Sequence, residues 1–200
     1  MRVVMDMQAC QSEPSAGRGI GRYATALARA MAADAGEGEL RLCFNKAYAS
    51  TLRETLDDFA DAPGRSRLSG YGLPSLPTVA GERRDALLPA AEALVRHHWM
   101  ALGPDAIHVA HAFEGFEGHA VVPELPQGPG LVRSATLYDL IPLRFPDLYL
   151  GDPARKRWYD ERLEGADRPH PLQHHLEARS LGHDAVRVEL LDECGRGVDL

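Results

Sequence analysis

Two hundred residues, 44% of them hydrophobic, can enclose one good core, and a single domain is the expectation. A net charge of −7 excludes general nucleic-acid binding, which needs a basic surface to meet phosphates. No run approaches the roughly 18 apolar residues of a membrane span, Asp6 interrupts any leader-like start, and the scattered Cys10, Cys43 and Cys194 form no CxxC pair, which together fit a cytoplasmic, reducing setting.

The first predicted strand is Val3-Val4-Met5, followed by a loop from Gln8 to Gly17 and then a helix. Ile20, Tyr23, Ala24, Leu27 and Met31 fall at helical spacing and give that helix one apolar face. Leu40 to Asn45 reads as a second strand, Ala49 to Ala60 as a helix with Leu52, Leu56 and Phe59 on one side, and Arg67 to Tyr71 as a short strand. A Gly/Pro-rich connection leads to a long helical pattern from Arg83 to Leu102, with Leu87, Ala91, Leu94, Val95, His98 and Leu102 on its broad face and Pro89 near its first turn. Arg83-Arg84 reads as the solvated start of that helix, and Gly103-Pro104 as its stop. Strands follow at Asp105 to Ala110 and Leu131 to Leu137, separated by a long loop; Pro142 to Pro153 reads as irregular, and a helix opens at Asp152 or Pro153 and runs through Arg162. Strands alternating with helices imply an α/β fold, a Rossmann-like domain with a mostly parallel sheet.

In such sheets ligands sit beyond the carboxyl ends of the strands. Three candidate loops lie there: the glycine loop Gly17 to Gly21, the loop from His111 to Gly118, and Tyr138-Asp139. Gly17, Gly19 and Gly21 let a backbone turn tightly and come close to a ligand, and a helix start behind them suits a phosphate. Their spacing is Gly-x-Gly-x-Gly rather than the Gly-x-Gly-x-x-Gly of dinucleotide sites, so an ordinary helix start accounts for them equally well. His97 and His98 are expected to divide into one packed and one solvent-facing side chain. His170, His174 and His175 have no carboxylate or cysteine beside them at ligand spacing, so no metal site is expected.

Taken together, three stretches are similar to the first domain of the family-four retaining glycosyltransferases, especially the mannosyltransferase-type enzymes of bacterial surface-polysaccharide assembly. They are Asp6-Met7-Gln8-Ala9-Cys10-Gln11 with Arg18-Gly19-Ile20-Gly21-Arg22-Tyr23, then His108-Val109-Ala110-His111-Ala112-Phe113-Glu114-Gly115, and then Thr136-Leu137-Tyr138-Asp139-Leu140-Ile141-Pro142-Leu143-Arg144-Phe145-Pro146, continuing into Asp152-Pro153 and Arg157-Trp158-Tyr159. The resemblance implies the GT-B architecture, in which the N-terminal domain mainly holds the acceptor and a second domain holds the nucleotide-sugar donor. It implies no metal and no cofactor beyond a donor substrate such as GDP-mannose, and a glycan acceptor of the surface-polysaccharide or lipopolysaccharide type.

Carried over residue by residue, the resemblance makes Asp139 the catalytic candidate at the cleft. Gly19, Gly21 and Arg22 go to the donor diphosphate, and Tyr138, His111 and Glu114 to sugar or acceptor contacts. Tyr138 stands where many relatives have histidine, and a phenol is a poor base at neutral pH. The resemblance covers residues 1–165. From about Ala166 the composition changes, with two prolines and four histidines in about fifteen residues, no strand pattern until Val186 to Leu191, and no glutamates eight positions apart. A divergent tail over 166–200, from a shifted reading frame or a degenerate end, is therefore expected, and with it a truncated transferase inactive by itself. The competing readings are a non-catalytic glycan-binding or partner-dependent acceptor domain, paired with a separate donor-domain polypeptide, and a plain nucleotide-binding module. Work at the inner membrane face is compatible with any of them.

Overall fold

The structure, a computed structural model, describes residues 1–36, 39–57, 59, 68–113, 115–137, 141–167 and 186–190. Its centre is a six-stranded sheet of β1 (Val3–Asp6), β2 (Leu40–Asn45), β3 (Leu68–Tyr71), β4 (Ala106–Val109), β5 (Val132–Leu137) and β6 (Val186–Leu190). The strand order is β3-β2-β1-β4-β5-β6, and every pairing is parallel. That is the doubly wound Rossmann order, in which the winding direction reverses between β1 and β4 and a crevice opens at their carboxyl ends.

The helices follow from the same logic, since parallel neighbours need crossovers. The chain leaves β1 through two single-turn helices, α1 (Gln8–Gln11) and α2 (Glu13–Ala16), where the sequence predicts a loop, and then runs back as α3 (Gly19–Asp34). α4 (Ala49–Asp57) joins β2 to β3, and α5 (Glu82–Ala101) joins β3 to β4. The segment expected to be irregular contains two short helices, α6 (Ile141–Arg144) and α7 (Pro146–Tyr149), before α8 (Pro153–Asp167), whose first turn is tied by Asp152 Oδ1 accepting from the Ala154 N–H at 2.9 Å. No described helix is long and apolar enough to cross a membrane.

Strand side chains alternate, so the sheet feeds two apolar layers. Met5, Leu40, Leu42 and Phe44 pack with Ile20, Ala24, Ala28 and Ala32 of α3. The buried stripe of α3 is thus its small residues, with Leu27 and Met31 only partly covered, because glycine and alanine let the helix lie close on the sheet. Leu52, Leu56 and Phe59 join this layer as their spacing predicts. Val4, Cys43, Tyr71, Ile107 and Val109 face the other way, against Ala91, Val95 and Trp99 of α5. Leu94, expected on that face, is exposed, and fully buried Trp99 takes part instead. The true stripe of α5 runs Arg84, Leu88, Ala91, Val95, Trp99, at three- and four-residue steps. α5 ends as the sequence predicts, with Gly103 at φ 63° and its N–H donating to Met100 O.

Candidate functional site

At the carboxyl ends of β1 and β2 lies a buried polar knot. Gln8 Nε2 donates to Val121 O at 2.8 Å and to Asp6 Oδ1 at 3.2 Å, while its Oε1 accepts from the Val121 N–H at 2.9 Å and from Asn45 Nδ2 at 3.0 Å. Gln11 forms a two-bond pair with the Asn45 backbone, accepting from its N–H at 2.8 Å and donating to its carbonyl at 3.0 Å. Asn45 Nδ2 also reaches His119 O, and Tyr71 OH donates to Asp6 Oδ1 at 3.4 Å. A side-chain amide carries both donor and acceptor, so it can pair with a strip of backbone as another strand would. The knot fixes the loop through residues 119–122 to the exits of β1 and β2. Burial, followed by the nearby Asp6 carboxylate, pushes the Tyr71 hydroxyl and the Cys43 thiol upward, so both stay protonated at neutral pH.

The candidate residues divide around this knot. Gly19 and Gly21 are the first and third residues of α3, in helical backbone rather than in a left-handed turn. Gly21 is buried, and a Cβ there would stand 2.5 Å from the Cα and carbonyl oxygen of Ala16 and from the Ser15 carbonyl oxygen. Its smallness has a packing reason, the close approach of α2 to α3. Arg18 precedes α3 without capping it through its side chain, and Arg22 is exposed one residue past Gly21. The helix start therefore carries two cationic side chains and its own positive end.

His111 stands two residues after β4, at the other side of the crevice, edge-on to the Phe113 ring at 6.3 Å. Burial pushes its imidazole down to about 4, so it is neutral at physiological pH. His108, inside β4, is held across the sheet by Ser134 Oγ at 2.8 Å and Thr136 Oγ1 at 3.5 Å, which is a structural assignment. His97 is exposed and His98 packs against Tyr71 and Ser69, as expected. Glu114, Tyr138, Asp139, His170, His174, His175 and Cys194 lie outside the described residues. Among the described residues no group of three or more His, Cys, Asp or Glu side chains gathers as metal ligands would.

Sequence reasoning missed one residue at this rim. Arg84, read as the solvated start of a helix, is 1% exposed. Its Nη1 donates to Pro77 O at 2.7 Å and Gly118 O at 2.8 Å, and its Nη2 to Gly115 O at 2.8 Å and Ala120 O at 3.1 Å. Burial lowers the affinity of this guanidinium for its proton, but arginine remains charged throughout the working range. One side chain thus gathers the loop after β4 onto the first turn of α5. The available signal was its place at the head of the Leu88, Ala91, Val95, Trp99 stripe.

Aromatic packing ties α8 to the same loop. Phe113 and Tyr159 stack at 4.0 Å with planes 7° apart, and Phe116 meets Trp158 at 5.7 Å. Arg162 donates to Val122 O and to Glu92 Oε1 and lies over the Trp158 ring at 5.2 Å.

The chain is similar to the serotype-specific mannosyltransferase WbdA of Escherichia coli, with 26% identity over 172 residues. That stretch is 84% of this chain and 20% of the enzyme, so the chain spans about a fifth of its relative's length. No family model matches the chain, and no solved structure does either.

Proposed function

We propose that this chain is the acceptor-side domain of a retaining GT-B glycosyltransferase. It serves transfer of a hexose, mannose in the first instance, from a nucleotide sugar such as GDP-mannose to a growing surface glycan. The observation that carries the reading is the 172-residue similarity to a mannosyltransferase, which extends over most of the chain. The doubly wound sheet supports it, because such sheets collect ligands at the switch point, here between β1, which precedes α3, and β4, which precedes His111.

In this reading the bond from the anomeric carbon to the diphosphate oxygen breaks, a bond from the same carbon to an acceptor hydroxyl oxygen forms on the same face, and the hydroxyl proton passes to the departing diphosphate. The departing diphosphate gains negative charge, which the start of α3 with Arg18 and Arg22 offsets. Asp139 is the polar group beside the reacting sugar and Tyr138 a sugar contact; both follow β5 directly in sequence. Glu114 serves the acceptor side, and His111, neutral at physiological pH, is a further sugar contact. A second domain, on the same or a separate polypeptide, holds the donor. The 200 residues by themselves then give little transfer, since positioning both substrates is most of what such an enzyme contributes.

The test exchanges the matched fifth of the E. coli mannosyltransferase for this chain and measures mannosyl transfer from GDP-mannose. Transfer is expected, and Asp139→Asn in the chimera is expected to lower it about 100-fold. A folded chimera without activity, beside an active parent, overturns the reading.

A further inference from the structure

Beside the switch-point crevice, between the first half of α5, the loop after β4 and α8, lies a cleft of about 610 Å³. Its size is that of small-ligand pockets, about 300–1,000 Å³. Phe116 and Trp158 supply its aromatic surface, and Arg84, Glu92, Glu124 and Arg162 are among its polar lining. Of the residues carried over from the family resemblance, those among the described residues, Gly19, Gly21, Arg22 and His111, do not line it.

We propose that this cleft is a binding subsite for uncharged pyranose units of a glycan chain. Its charges exclude the obvious alternative. Among the described residues, five carboxylates (Asp85, Glu92, Glu124, Asp152 and Glu161) line it against three guanidinium groups (Arg84, Arg157 and Arg162). Two of the three, Arg84 and Arg162, already donate to backbone carbonyls. A phosphate entering there meets net negative charge and loses its hydration without compensation. A neutral sugar meets what it needs. Carboxylates accept from its hydroxyls, guanidinium N–H groups donate to them, and the aromatic surface of Trp158 and Phe116 covers its apolar C–H face.

Two donors in the lining are unused. Arg84 Nε, on a side chain 1% exposed, and Trp158 Nε1 have no hydrogen-bond partner although their other atoms are packed. Buried N–H groups normally find an acceptor, and these two, both on residues that line the cleft though closed to solvent themselves, are ones that a ligand hydroxyl seated against them would satisfy. The choice of mannose as the sugar rests on the transferase reading; the site rests on the cleft alone.

The experiment titrates the ¹⁵N-labelled full chain with mannotriose and follows the two tryptophan indole N–H signals. The chain has only Trp99, fully buried in the core, and Trp158. Trp158→Phe identifies the second signal. The Trp158 signal is expected to move progressively while Trp99 stays still and inorganic phosphate moves neither. Glu124→Gln, at an exposed position, is expected to weaken binding about tenfold. A Trp158 signal unmoved by mannotriose, one moved by phosphate instead, or an unchanged affinity in Glu124→Gln overturns the proposal. Shifts confined to the amides of Gly19 to Arg22 overturn the cleft and leave the transferase reading standing. Shifts at Trp158 beside an inactive chimera do the reverse.

Discussion

Arg84 Nη2 donates to Gly115 O across 2.8 Å, joining the first turn of α5 to the loop that follows β4. The guanidinium makes three further bonds to Pro77, Gly118 and Ala120, and Gly115 and Gly118 take positive φ values of 106° and 77° to present their carbonyls. Glycine accepts that backbone without strain, so the loop and the arginine are matched parts of one clamp.

Removing the clamp leaves four backbone carbonyls short of a donor in a buried place. Arg84→Ala is expected to cost about 3 kcal/mol in urea unfolding. A loss below about 1 kcal/mol would mean that water replaces the guanidinium at no cost.

Gly21 and Gly17 should respond in opposite ways to the same change. At Gly21 an added methyl meets Ala16 and Ser15 backbone at 2.5 Å, so Gly21→Ala is expected to destabilise by about 1–3 kcal/mol although alanine favours a helix. Gly17 has φ −82° and nothing within 4 Å, so Gly17→Ala is expected to be neutral or stabilising by up to about 1 kcal/mol. Thermal unfolding of the two variants side by side tests the pair, and equal melting temperatures would contradict it.

Gln8→Leu keeps the volume of a fully buried side chain and removes its four hydrogen bonds. The Val121 N–H and carbonyl lose these partners and Asn45 Nδ2 keeps only His119 O, at an expected cost of about 2–4 kcal/mol. Hydrogen exchange at the Val121 amide should accelerate well beyond that of the β1 amides. Unaltered protection there would show that the loop is held without the knot.

His111 gives the fold a pH dependence whose sign is fixed. Its folded value is depressed to about 4 from an unfolded value of about 6.5, so the unfolded chain takes up the proton first. Stability is therefore fully present above about pH 6.5 and falls as pH drops toward 4. His111→Gln should flatten that part of the stability curve, and the His111 ring signal should show no titration midpoint between about pH 5 and 8. A midpoint near 6.5 would contradict the buried placement.

The sequence by itself determined the alternation of strands and helices, and hence an α/β parallel sheet, because periodicity is a property of neighbouring residues. Leu40 to Asn45 and the Gly103 stop of α5 were legible to the residue for that reason. It also placed the segments that follow β1 and β4 on the carboxyl rim, since in a parallel sheet every strand exit falls on that side, although Gly19 and Gly21 proved to be helical and Tyr138-Asp139 lies outside the described residues. The tertiary structure alone decided which side chains those loops bury. Arg84 and Arg83 look alike in sequence, yet only Arg84 falls on the α5 stripe that faces the sheet and finds four carbonyls there. Gln8, Gln11 and Asn45 read as ordinary polar loop and strand-end residues until β1 and β2 stand side by side and the loop through Val121 closes over them. Contacts across 34 to 113 positions leave no local pattern, because hydrogen bonding depends on proximity in space and not on spacing along the chain.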